Sequence, residues 1–193
     1  MVLPIVGYGH PTLRKKATPI TPDFPNLQKL IANMYETMHK AHGVGLAAPQ
    51  INESIRLFVI DSTPMTEDPE EGSEPVAVVK KTFINATILS ETGKEWSFNE
   101  GCLSIPEVRE DVIRKDTIEI RYFDENFEEK TETYNGIVAR IIQHEYDHIE
   151  GILFIDKISV FRRQLIKNRL LKIQKGEIRV NYQMKFANAA RIK

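Results

Sequence analysis

The chain has 193 residues, 41% of them apolar, with 26 basic and 27 acidic side chains, a formal net charge of -1 and one cysteine. A chain of this size and composition builds one sizeable core, so a single domain over 1–193 is expected, and a disordered, collagen-like or disulfide-stapled molecule is excluded. The charge balance argues against specific DNA binding, and no apolar run approaches the roughly 18 residues of a membrane span.

The opening stretch, MVLPIVGYGHPTLRKK, carries its basic residues after a short apolar run, the reverse of a signal peptide. Together with the lone Cys102, which permits no internal disulfide, this makes the cytoplasm the expected compartment. Prolines punctuate the first 24 residues and describe an irregular arm. Leu27, Leu30, Ile31, Met34 and Met38 then recur at helical spacing and predict a helix over 25–41, with Gly43 as its stop. GVGLAAPQ (43–50) is too small and glycine-rich for a packed helical turn, and IRLFVI (55–60) reads as a short buried strand. Residues 61–75 hold three prolines, and five acids fall between Glu67 and Glu74, which describes an exposed acidic loop insertion. Strands are expected at 76–81, 83–89, 117–123 and 127–133, the last two joined at Asp124-Glu125-Asn126. A second helix at 136–149 stacks Ile137, Ile141 and His144 on one face, and a third runs from Ser159 as N-cap to Gly176. Beyond it Ile178, Val180, Tyr182, Met184 and Phe186 alternate with polar residues, so 177–186 reads as an extra, half-buried C-terminal strand. From Lys157 onward there are eleven basic residues and one acid, Glu177, either a solvated face or a surface for a polyanion. The class is α+β: mostly antiparallel strands packed around a central helix, with a C-terminal helix and terminal strand.

That central helix carries HEYDH at 144–148. Positions i and i+4 share a helix face, so His144 and His148 can aim their imidazoles at one point while Glu145, on the flank, reaches a water there without filling a coordination site. Two buried imidazoles need partners, and a metal ion is one. A catalytic ion usually has three protein ligands and a water. Asp147 is better placed to support the site than to coordinate, Glu150 is on another face, and Asp156 lies past the helix end. Cys102, in NEGCLSIP, is the stronger candidate for third ligand, against its alternatives as a small buried hydrophobe or a nucleophile. A Cys-His-His set is compatible with zinc, ferrous iron, cobalt or nickel.

GVGLAAPQ (43–50), EGCLS (100–104) and HEYDH (144–148) stand in the order and approximate spacing of the bacterial peptide deformylases, which the chain resembles over about residues 1–170. The resemblance implies that Cys102, His144 and His148 hold one divalent ion, usually ferrous iron, with zinc, nickel or cobalt as substitutes. It makes Glu145 the general base and acid, Gln50 and the backbone N–H of Leu103 the oxyanion donors, and Gly45 a backbone contact to substrate. The substrate would be the N-formylmethionyl end of a nascent peptide, released as formate and a free amine. Its methionine pocket would be lined by Phe98, Ile137 and Ile141, with Val44 on the rim. Arg140 stands where an aliphatic residue is more familiar; its stem would cover the pocket wall while its guanidinium reaches water. Contact with the ribosome through the basic C-terminal region is a further implication. Two other readings remain: a general HExxH metallopeptidase, and a non-enzymatic ribosome- or RNA-associated protein stabilised by its metal.

Overall fold

The computed structural model describes residues 1–66 and 76–187. In chain order the elements are β1 (Ile5–Val6), α1 (Leu27–Lys40), β2 (Gly45–Ala47), β3 (Leu57–Asp61), β4 (Lys80–Cys102), β5 (Ile105–Phe123), β6 (Glu129–Asn135), α2 (Gly136–Ile149), α3 (Val160–Lys175) and β7 (Met184–Lys185). Strands β2 to β6 form one antiparallel sheet in sequence order, and β1 and β7 make a separate parallel pair. Among the described residues no helix is long and apolar enough to cross a membrane.

The helical periodicities place their helices well. α1 buries Leu27, Ile31, Met34 and Met38 against β2 and β3. Ser159 caps α3, its hydroxyl accepting from Arg162 N–H at 3.2 Å, and Gly176 ends it in the left-handed conformation, φ 75°. α2 spans the stretch read as the second helix and packs against β2, β3, β5 and β6, so it is buried on most of its circumference.

The strands depart further from expectation. Residues 83–89 are only the start of β4, which continues without a break to Cys102, whereas 76–79 lie outside any strand. Likewise 117–123 is the far end of β5, whose first half was not legible in the pattern. In that half Val108, Glu110, Val112 and Arg114 point inward and are buried, while Ile113 points out. Two charged residues at inward positions hide a strand that period-two hydropathy would otherwise reveal.

The extra C-terminal strand needs correction. Side chains from Ile178 to Phe186 do alternate between half-buried and exposed. Only Met184 and Lys185 find a ladder, however, pairing in parallel with Ile5 and Val6. A strand needs a partner edge as well as a pattern, and β1 offers two residues of it. Of the acidic insertion expected at 61–75, Asp61 ends β3 and 63–65 form a single 3-10 turn, while 67–75 lie outside the described residues.

Candidate metal centre

α2 sets His144 and His148 one turn apart, ring centroids 5.2 Å from each other. The long β4 delivers Cys102, its last residue, to the same point: Cys102 Sγ lies 3.2 Å from His148 Nε2. One donor atom from each of the three residues falls within 4.8 Å of the others. The remaining candidates are occupied elsewhere. Glu150 pairs with Arg56 and Lys16, and Asp156 with Arg14. Asp147 supports the site from behind, its carboxylate accepting from Arg114 Nη1 at 2.6 Å.

Glu100, not among the candidate residues of the sequence, is the hub beneath the centre. Its Oε2 lies 2.9 Å from His144 Nδ1, which turns the ring's Nε2 toward the cluster. The same carboxylate accepts from Arg114 Nε at 2.7 Å and from Arg140 Nη1 at 2.9 Å. Burial opposes its charge, but the bonds to His144 and Arg114 hold its pKa well below the usual carboxylate range. Its place two residues before Cys102 in EGC was the available signal; its partner Arg114 sits on the strand that the pattern concealed.

The imidazoles are tuned in opposite directions. Burial, then the neighbouring His144, keeps His148 well below the ordinary histidine pKa, as a neutral ligand requires. Burial also disfavours charge on His144, but contact with the Cys102 sulfur and Glu100 outweighs it and raises the pKa. Positive charge is thus favoured on the His144 side of the cluster, next to Glu100. One thiol sulfur and two imidazole nitrogens suit a borderline-soft divalent ion. Beside them Glu145 is 4% exposed, and its Oε2 has no hydrogen-bond partner among the described residues. Burial raises that carboxyl to about 7. A three-donor set with an unsatisfied carboxylate oxygen alongside fits an ion carrying a water.

The residues expected as donors and pocket converge here. Gln50 is buried in the turn after β2, where its Oε1 accepts from Ala47 N–H at 2.7 Å. That bond orients the amide, leaving Nε2 at 3.5 Å from Cys102 Sγ and 3.4 Å from Ser104 Oγ. The Leu103 N–H, in the turn between β4 and β5, donates to no acceptor among the described residues. Gly45, in β2, faces Glu145. An open cleft of about 720 Å³ runs along this region, with Val44, Phe98, Ile137, Arg140 and Ile141 in its wall.

Arg140 does not send its guanidinium to water. The residue is 2% exposed, and besides Glu100 it donates to Val112 O at 2.9 Å and Trp96 O at 2.8 Å, with the group 4.6 Å from the Trp96 ring. The buried Glu100 carboxylate and two strand carbonyls replace the solvent, so the cation is held inward and structural. Arg109, by contrast, is exposed and, among the described residues, hydrogen-bonds only Asn99.

A family model for polypeptide deformylase matches residues 2–164. The chain is 59% identical over 192 residues to the peptide deformylase of Flavobacterium johnsoniae, covering 98% of each, and 45% identical over 184 residues to that of Salinibacter ruber, covering 95% and 94%. The crystal structure of a peptide deformylase from Legionella pneumophila matches the fold with a TM-score of 0.78 at 34% identity, over 92% of this chain and 98% of that one. With the three-residue centre set on α2 and β4 of the same fold, the chain belongs to the polypeptide deformylase family.

Proposed function

We propose that the protein removes the N-formyl group from the amino-terminal methionine of new polypeptides in the cytoplasm, releasing formate. The observation that carries this reading is the cluster of Cys102, His144 and His148 beside a buried carboxylate oxygen of Glu145, without a hydrogen-bond partner among the described residues, in the wall of an open cleft.

A divalent ion on those three residues would act as a Lewis acid and make hydroxide available near neutral pH. The chain's own groups account for the rest. Glu145 takes a proton from the water whose oxygen bonds to the formyl carbon. Negative charge then collects on the former carbonyl oxygen, where Gln50 Nε2 and the Leu103 N–H donate to it more strongly than to the ground-state carbonyl. Glu145 passes its proton to the nitrogen as the C–N bond breaks, leaving formate and a free amine. Val44, Phe98, Ile137 and Ile141 receive the unbranched methionine side chain, with the Arg140 stem behind them. Gly45 lets substrate backbone run close to β2, a mode indifferent to downstream sequence.

The test is incubation with formyl-Met-Ala-Ser and with the unformylated peptide. Formate release without internal cleavage is expected, and a chelator should abolish it. Internal cleavage of both peptides would instead make the protein a general metallopeptidase. An inert protein that loses its fold on chelation would make the ion purely structural. Ferrous iron is our inference for the native ion, because this donor set accepts it and the family resemblance favours it. Activity that is lost in air and retained under anaerobic purification checks the assignment; air-stable activity with bound zinc or nickel overturns it. Ribosome contact is supported by charge alone: Lys167, Lys172 and Lys175 lie exposed on or at the end of α3 and, among the described residues, pair with no carboxylate. Salt-sensitive co-sedimentation with ribosomes is the corresponding measurement.

A further inference from the structure

The segment after α3 returns across the rim of the cleft, and Arg179, Val180, Asn181 and Tyr182 contribute to its wall. The family model ends at residue 164, so this wall is formed by chain outside it. The segment is anchored at both ends. At the start, Gly176 terminates α3 and Glu177 N–H closes the cap on Lys172 O at 2.8 Å. At the far end, β7 pairs with β1, Ile5 N–H donates to Gln183 O at 2.9 Å and Gly7 N–H to Lys185 O at 3.0 Å. Phe186 fills the space beside Gly7 and Gly176; a β-carbon on either glycine would come within 3.0 Å of its ring.

Between these anchors the Tyr182 ring packs on the core cluster that holds Leu46, and its hydroxyl donates to Leu103 O at 2.8 Å. One residue further round the same turn, Ser104 O accepts from Tyr8 N–H at 2.8 Å, just after β1. The two carbonyls of the Leu103-Ser104 turn are thus gripped from outside the hairpin, one by each arm of the β1–β7 pair. The turn is short and the register of β4 on β5 slips between Gly101 and Cys102, so the hairpin ladder alone does little to fix it. The Leu103 N–H, meanwhile, has no acceptor among the described residues and stands next to Cys102.

We propose that the β1–β7 pair is a clamp on this turn and that Tyr182 is a positioning residue for the Leu103 N–H. It immobilises the peptide plane that follows the donor and so holds the N–H where the developing oxyanion needs it. This deepens the deformylase reading and rests on it. An oxyanion donor is effective only when preorganised, so loosening it lowers turnover more than substrate binding.

The test uses full-length Tyr182→Phe, which keeps the ring and deletes the hydroxyl. One hydrogen bond of ordinary strength predicts a kcat about three- to tenfold lower, with KM for formyl-Met-Ala-Ser and bound metal unchanged and a melting temperature lower by only about 2–4 °C. The backbone 15N order parameter of Leu103 should fall while that of Asn99, on β4, stays at the rigid value of about 0.85. Tyr182→Leu, which also removes the ring, should show at least the same kcat loss. A Tyr182→Phe enzyme within twofold of wild-type kcat overturns the proposal, as does a loss explained by lower metal content or an unchanged Leu103 order parameter. Absence of formate release by the wild type would sink the deformylase reading instead, and the order parameter would still decide whether the clamp exists.

Discussion

Gly45 and Glu145 are packed so closely that a β-carbon at position 45 would lie 2.4 Å from the Glu145 carboxylate oxygen. The glycine in GVG therefore makes room for the carboxylate proposed as general base, in addition to any service to a substrate backbone. Gly45→Ala must displace the carboxylate, since β2 is held between β3 and α2. A misplacement of about 1 Å in a catalytic group costs on the order of a hundredfold in rate. We expect kcat to fall by about that factor with metal content intact. Unchanged turnover would show that Glu145 has slack which the packing denies it.

Gln50 makes a second, separable prediction. Its Oε1 is committed to Ala47 N–H, so its amide N–H is aimed at the site before any substrate arrives. Gln50→Ala should lower kcat by about 10²-fold, the order of a single lost oxyanion donor, with a small effect on KM. A rate loss below twofold removes Gln50 from the role.

Arg114 is the counter-ion for two buried carboxylates, donating to Glu100 and to Asp147. Arg114→Leu leaves Glu100, among the described residues, with Arg140 and His144, and strips Asp147 of its closest cation, with Lys157 remaining at 3.4 Å. Removing one partner of a buried ion cluster costs about 3–5 kcal/mol. Urea unfolding of metal-loaded protein should show a loss of that size. A change under about 1 kcal/mol would mean that the carboxylates take up protons or water with little penalty.

The helices and the histidine pair were legible because both are written locally. Helical spacing from Leu27 to Met38 and the Ser159 and Gly176 caps locate α1 and α3, and HEYDH places two imidazoles and a carboxylate on one turn. What was hidden depends on distant partners. Arg140 looks amphipathic by itself; Glu100, forty residues earlier, and the Trp96 and Val112 carbonyls turn its guanidinium inward. Glu110 and Arg114 disguise β5 because their neutralising partners, Arg162 on α3 and Glu100 on β4, come from elsewhere. The tail shows its period plainly, but whether it pairs is decided by how much edge β1 has free.

A last prediction concerns acid stability away from the metal. Glu132 on β6 accepts from Lys81 Nζ at 2.7 Å on β4 and from the Tyr122 hydroxyl at 2.6 Å on β5, with Tyr134 as a third donor. Burial works against its charge, but these bonds take its pKa from 4.5 to about 2. A carboxylate held lower in the folded than in the unfolded state stabilises the fold in full above its unfolded pKa. That contribution fades as pH falls through the interval between the two values. The cluster ties three strands of the sheet, so its loss should register globally. Glu132→Gln should therefore be less stable than wild type at pH 7, and the gap in urea midpoint should narrow from about pH 4.5 downward, approaching zero near pH 2. The side chain is about a third exposed, and solvent screening keeps the pH 7 gap modest. A gap that is constant from pH 7 to 3 would mean that the cross-strand bonds work equally well with a neutral partner.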